Sequence, residues 1–224
     1  MENFNTLGFA IVRNVLTPET LQEALLSQLQ TLTLAPLSGG IRRIDQHSAS
    51  CAALSVDAGL LNLIAPFLNG QPQLVRAIYF DKTPSNNWLV TWHQDKTVCV
   101  SQRFEADGWQ PWSLKAGVWH VQPPLKVLQN MITVRIHLDA AHRGNGCLKI
   151  IPRSHTLGIL DNATLQNTVH QHDAYYCEVQ AGDAVIMRPH LLHASEKSTL
   201  PLSRRVLHFE YASYTLPDGI TWSP

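Results

Sequence analysis

The stretch Trp88-Leu89-Val90-Thr91-Trp92-His93-Gln94-Asp95 decides the fold. Trp88 to His93 is rich in aromatic and β-branched residues and reads as a strand. In an extended chain alternate side chains share a face, so His93 and Asp95 point the same way and offer one nitrogen and one oxygen to a single metal ion. A second histidine from a distant strand would complete a two-histidine, one-carboxylate triad. That arrangement leaves coordination positions open and is the mark of non-haem Fe(II) oxygenases. Metal chemistry of this kind needs a scaffold that brings distant strands together.

His-x-Asp alone is weak evidence, because His137-Leu138-Asp139 repeats the pattern on a second β-like run. Both pairs precede the distal candidates by enough chain to hold several strands. The distal region, Met187-Arg188-Pro189-His190-Leu191-Leu192-His193-Ala194-Ser195, supplies two competing histidines, His190 and His193. Pro189 argues against a helical zinc-type His-x-x-His there. Beyond it, Ser203-Arg204-Arg205 opens another strand. An arginine buried beside a metal centre is costly unless it meets an anion, and its fork of donors suits a carboxylate, which points to a dicarboxylate co-substrate.

Outward from these motifs, short β-like runs dominate from Gln73 onward: Leu74 to Phe80, Val118 to Val121, Met131 to Leu138, Leu148 to Ile151, Ala184 to Met187 and Val206 to Tyr211. Turn signals separate them, among them Gly144-Asn145-Gly146 and Ala181-Gly182-Asp183. Upstream, Leu7 to Val12 reads as a strand. Thr17-Pro18-Glu19 starts a helix carrying Leu21, Leu25, Leu29 and Leu32 on one face, and a second helix runs from Ala58 to Leu68. Helices first and strands afterwards predict a mainly β fold, a sandwich or barrel with helices packed on one side. No repeat or linker divides the chain. One domain is expected over 1–224, with a helical part at about 17–68 and a jelly-roll part at about 73–211.

The 224 residues carry 17 Lys+Arg against 17 Asp+Glu, and that balance excludes a basic stripe for nucleic acid and disfavours an anionic membrane surface. Eleven histidines against those cations make metal or acid/base chemistry the first expectation. Cys51, Cys99, Cys147 and Cys177 form no C-x-x-C pair, and no signal peptide or long apolar run is visible; a cytoplasmic protein with reduced thiols is expected.

Taken in order, Asn87-Trp88, Trp92-His93-Gln94-Asp95, Asn145-Gly146-Cys147-Leu148, Pro152-Arg153-Ser154-His155, Ala181-Gly182-Asp183, His193-Ala194-Ser195 and Arg204-Arg205 resemble the signature of the phytanoyl-CoA dioxygenase family. The resemblance implies a double-stranded β-helix, that is a cupin-like jelly roll, and an Fe(II)- and 2-oxoglutarate-dependent dioxygenase that uses O2, oxidises a C–H bond of a small organic substrate and releases succinate and CO2. It implies His93, Asp95 and His193 as the iron ligands, with no catalytic residue beyond them. Arg204 would clamp the distal carboxylate of 2-oxoglutarate, and Ser195 would lend its hydroxyl to the same group. It also sets His137 and Asp139 at non-ligand positions. The carboxylate at Asp95 implies oxidation rather than halogenation. Two positions depart from the usual pattern: Arg153 stands where the family has glycine, and Cys147 where it has proline.

Trp109, Trp112, Arg135, Lys82 and Gln122 are the further substrate-contact expectations, chosen as aromatic or polar groups near strand ends or on inward strand faces. Two other readings compete with the oxygenase: a cupin-like metalloenzyme without an oxoacid, and a non-catalytic module that binds metal or oxoglutarate. The sequence leaves the primary substrate and the oligomeric state open.

Overall fold

Period-two alternation builds the central sheet. In the computed structural model, which describes residues 3–21, 26–29, 32, 40–115 and 117–224, the strands are β1 (Phe9–Val12), β2 (Ile41–Arg42), β3 (Gln73–Lys82), β4 (Val90–His93), β5 (Val98–Val100), β6 (Trp112–Lys115), β7 (Val118–Val121), β8 (Met131–His137), β9 (Leu148–Ile150), β10 (Tyr175–Tyr176), β11 (Ala184–Met187), β12 (His193–Ser195) and β13 (Arg204–Ala212). They form a six-stranded sheet in the order β1-β11-β8-β13-β3-β2, a four-stranded sheet β10-β9-β12-β4 and a three-stranded sheet β5-β7-β6. The pairings are antiparallel. This mainly β, antiparallel architecture is a jelly roll.

The six-stranded sheet has two buried faces with different chemistry. Every residue of β8 is buried, and so are all but one of β13. On one face Ile132, Val134, Ile136, Leu207, Phe209 and Tyr211 join Leu60, Ile64 and Leu68 of the preceding helical segment in a single apolar cluster. Each such side chain removed from water contributes about 1.5–3 kcal/mol. The other face carries polar groups in register: Arg204 opposite Lys82, His208 opposite Ile78 and Arg135, and Glu210 opposite Arg76 and Thr133. Polar side chains on a buried strand need partners or a ligand, and this face looks into the cavity described below.

The strand expected from Leu7 begins at Phe9 instead. Phe4–Leu7 is a helical turn ended by Gly8 at φ 82°, a left-handed position that suits glycine. The helix beginning after Thr17 starts as expected, with the Thr17 hydroxyl accepting from the Thr20 N–H. Leu25 lies outside the described residues. Ala58–Ile64 is a helix capped by the Asp57 side chain and extended by a 3-10 turn at Ala65–Phe67. Asn162–Gln171 adds a helix that the sequence reading passed over. No single helix among the described residues is long and apolar enough to cross a membrane.

Candidate metal centre and its cavity

His93 ends β4 and His193 begins β12, and the two are directly paired across the strands. Their rings stand 4.2 Å apart. Asp95, two residues past His93, comes within 3.7 Å of His93 Nε2 through Oδ1 and within 3.4 Å of His193 Nε2 through Oδ2. The ring orientations are fixed from behind. His93 Nδ1 bonds the Thr91 carbonyl at 2.8 Å and His193 Nδ1 bonds the Leu191 carbonyl at 2.8 Å, so each Nδ1 carries the hydrogen and each Nε2 presents its lone pair to the centre. Burial, reinforced by His193, pushes His93 down to about 4, and it stays neutral and able to ligate at ordinary pH. Burial opposes ionisation of Asp95, but His193 and His93 outweigh it and hold the carboxyl well below its usual range. Two imidazole lone pairs and one carboxylate, converging with water-side access, fit a divalent iron site.

The signature residues around these ligands are mostly scaffold. Gln94 is buried and ties three backbone groups: its Nε2 donates to the carbonyls of Gly158 and His190, both at 2.7 Å, and its Oε1 accepts from the Leu160 N–H. The Asp95 N–H donates to the Pro189 carbonyl, linking the first ligand pair to the loop that carries the second. Ser154 holds that loop too, donating to the Ile151 carbonyl and accepting from the Leu192 N–H. Asn87 and Ser198 exchange two hydrogen bonds across the end of β12. Asp183 accepts from the backbone of Asn14 and Gln180 and from Arg13.

A cavity of about 300 Å³ opens over His93, Asp95 and His193, lined from both larger sheets and from the β6–β7 hairpin. Arg204 lines it, is 2% exposed, and has Nε and Nη1 without a partner. Burial and then the neighbouring Arg135 lower its pKa to about 9. An unpaired guanidinium in a buried site costs several kcal/mol unless an anion arrives, so this residue could hold an anion in the cavity that His93, Asp95 and His193 also line. Ser195 also lines the cavity; its hydroxyl donates to the Gly146 carbonyl at 2.8 Å and accepts from Lys82 Nζ at 3.0 Å. One lone pair of that oxygen is left to other donors.

Arg135 lines the cavity as expected, donating from Nη1 to His208 Nδ1 at 2.9 Å. Lys82 is fully buried behind the wall, where burial and then Arg204 and Arg135 push it down to about 7. The structure places the other three substrate-contact expectations, like Lys82, off the cavity lining. Trp109 and Trp112 pack with Phe104, and Trp109 also with Tyr214, in the cluster around the three-stranded sheet, away from the metal ligands. Gln122 exchanges backbone hydrogen bonds with the Gln110–Pro111 segment and lies outside the cavity.

The competing motif is structural. Asp139 makes a bidentate pair with Arg205 at 2.7 and 2.8 Å, and His137 is enclosed beside β13. His190 is buried against His155 and does not reach the triad. A second grouping, Asp95 with His208 and Glu210, also has one ligand atom from each residue within 4.8 Å of the others. There His208 Nε2 already donates to Glu210 Oε1 at 3.0 Å, and Arg76 and Arg135 flank the pair, which favours a hydrogen-bond network over a cation. Trp88 of the signature and His120 line the cavity, and so do Arg42, Arg76, Lys115, His208 and Glu210, which the motifs did not single out. For His208 and Glu210 the signal was present: Arg204, Val206, His208 and Glu210 alternate with Leu207 and Phe209 on a buried strand.

A family model described as phytanoyl-CoA dioxygenase (PhyH) matches residues 4–206. Phytanoyl-CoA dioxygenase 1 of Oryza sativa subsp. japonica is 23% identical over 180 residues, 75% of this chain and 54% of the relative, so the chain spans about half the length of that protein. AviO1 from Streptomyces viridochromogenes Tue57 superposes with a TM-score of 0.69 at 22% identity, covering 96% of this chain and 94% of that one. HygX from Streptomyces hygroscopicus, solved with nickel, 2-oxoglutarate and hygromycin B, gives 0.67 at 17% identity over 94% and 85%. EctD from S. alaskensis, solved with 2-oxoglutarate and 5-hydroxyectoine, gives 0.71 at 18% over 94% and 74%. At these identities the solved structures establish the shared fold.

Proposed function

The chain belongs to the phytanoyl-CoA dioxygenase family, and from that premise we propose that it is an Fe(II)- and 2-oxoglutarate-dependent oxygenase acting on a C–H bond of a small organic substrate. The observation that carries this reading is the unpaired, buried Arg204 guanidinium opening into the same cavity as His93, Asp95 and His193. A cupin-like metal site that uses no oxoacid has no need of that cation.

In this reading His93 Nε2, His193 Nε2 and Asp95 hold the iron, Arg204 takes the distal carboxylate of 2-oxoglutarate, and the Ser195 hydroxyl assists it by turning its hydrogen from the Gly146 carbonyl to that carboxylate. Iron bound there supplies open positions where the oxoacid and O2 react, giving succinate, CO2 and the oxidant for the C–H bond. The protein's own residues prepare that chemistry. The Thr91 and Leu191 carbonyls keep both imidazoles in the ligating tautomer. Asp95 stays ionised, offsetting one positive charge of the metal. Lys82, donating to Ser195, fixes the hydroxyl that faces the oxoacid site. Ile78, Val90 and Leu148 give the cavity apolar wall that limits water.

Purified protein supplied with Fe(II), 2-oxoglutarate and O2 should release succinate slowly even without a primary substrate. Arg204→Ala should suppress that release, and His93→Ala should abolish iron binding. Full succinate release by Arg204→Ala would contradict the oxoacid assignment, and undiminished iron binding by His93→Ala would contradict the ligand set.

A further inference from the structure

Glu210 carries an oxygen that the rest of the cavity leaves unused. The residue is fully buried on β13 and lines the cavity. Its Oε1 accepts from Arg76 Nη1 at 2.9 Å and from His208 Nε2 at 3.0 Å, whereas Oε2 has no partner. The Thr133 hydroxyl, opposite Glu210 on β8, is likewise without a partner and makes no hydrogen bond to it. Arg76 Nη2 is committed to Thr97, whose carbonyl it reaches at 2.7 Å, and His208 Nδ1 is already an acceptor for Arg135. A carboxylate oxygen of Glu210 lies within 4.8 Å of one of Asp95, so the residue sits at the end of the cavity that holds the candidate metal centre.

The donor that Oε2 awaits belongs to a ligand, and the local field selects its type. Arg76 and Arg135 flank the carboxylate, and a metal at the triad would add further positive charge, so an ammonium is disfavoured there and a neutral hydroxyl is favoured. The same cavity holds a surplus of cations at its exposed rim. Arg42 on β2 and Lys115 on β6 both line it and form no ion pair among the described residues. A dianionic oxoacid at Arg204 leaves these two uncompensated.

We propose that the primary substrate is a hydroxylated small organic anion whose hydroxyl donates to Glu210 Oε2 and whose anionic group meets Arg42 and Lys115. This inference rests on the oxygenase reading of the cavity, and its test separates the two. Protein loaded with Mn(II) is titrated calorimetrically first with 2-oxoglutarate and then with gluconate, glucose 6-phosphate, sorbitol and hexanoate. At least one of the two anionic polyols should bind tenfold or more tightly than both sorbitol, which lacks the charge, and hexanoate, which lacks the hydroxyls; the carboxylate and phosphate arms identify the anion. R42Q/K115Q, altered only at exposed positions, should erase the preference over sorbitol, and Glu210→Gln the preference over hexanoate. If Glu210→Gln fails to fold, the rim variant alone decides. Failure of both anionic polyols to outbind their counterparts, or an unchanged preference in R42Q/K115Q, overturns the inference. Failure of the initial 2-oxoglutarate titration overturns the oxygenase reading instead.

Discussion

Arg204 is the residue whose energetics set it apart from its neighbours. Its chain is enclosed at the start of β13, yet two guanidinium nitrogens have nothing to donate to. The fold accepts that cost in the absence of an anion, which separates stability from function at a single position. Arg204→Met keeps the apolar stem and removes the uncompensated charge. It is expected to stabilise the ligand-free protein by about 1–3 kcal/mol. The same change should weaken 2-oxoglutarate binding by about 1.5–3 kcal/mol, roughly 10- to 150-fold in Kd. Thermal unfolding and calorimetric titration measure the two effects; a variant that is less stable and binds the oxoacid unchanged would show Arg204 to be ordinary scaffold.

At the scale of elements, the turns explain both what the sequence disclosed and what it hid. Arg153 occupies φ 69°, ψ −7°, a left-handed conformation at the turn leading into the Ser154 tether. The family's usual glycine adopts that region freely, while a side chain there costs about 1–2 kcal/mol. Arg153→Gly is therefore expected to raise stability by about 0.5–1 kcal/mol after the greater entropy of the unfolded glycine chain is counted; chemical denaturation reads this, and a loss of stability would contradict it. Long alternating strands such as β8 and β13 were legible because period two survives any packing. Short elements were not: β12 has three residues, and it pairs between β9 and β4 only because distant strands provide the ladder. The Asn162–Gln171 helix was missed since Leu165 and Val169 are its main apolar contributions, too few for a visible stripe, although Asp161 caps it. The convergence of His93, Asp95 and His193 was legible in the ordered motifs. The place of Trp109 and Trp112 was not, because a sequence cannot say which of two apolar clusters an aromatic residue joins.

Across the whole molecule, many of the histidines that first suggested metal chemistry are buried and neutral. Burial, with Arg76 second, pushes His120 down to about 4; burial, with His155 second, does the same to His190. His137 lies well below its ordinary value through burial, with Arg135 adding to it. Each is neutral in the fold and protonated in the unfolded chain below an ordinary value of about 6.5. Stability should hold above that pH and fall as pH drops from about 6.5, and the contribution of His120 and His190 should stop growing near 4, where these two take up their own protons in the fold. Urea midpoints should be clearly lower at pH 5 than at pH 7.5; equal midpoints would contradict the buried-neutral assignment. The same fold that buries these rings also brings two histidines and one carboxylate from one sheet into a cavity with an unpaired arginine from another, and that conjunction is the central claim. It is tested most directly by the visible metal-to-ligand charge-transfer band of anaerobic protein mixed with Fe(II) and 2-oxoglutarate. The account predicts a band that needs both additions, disappears in His193→Ala, and requires much higher oxoacid in Arg204→Met. A protein that binds iron and shows no band, or a band indifferent to both substitutions, would contradict it.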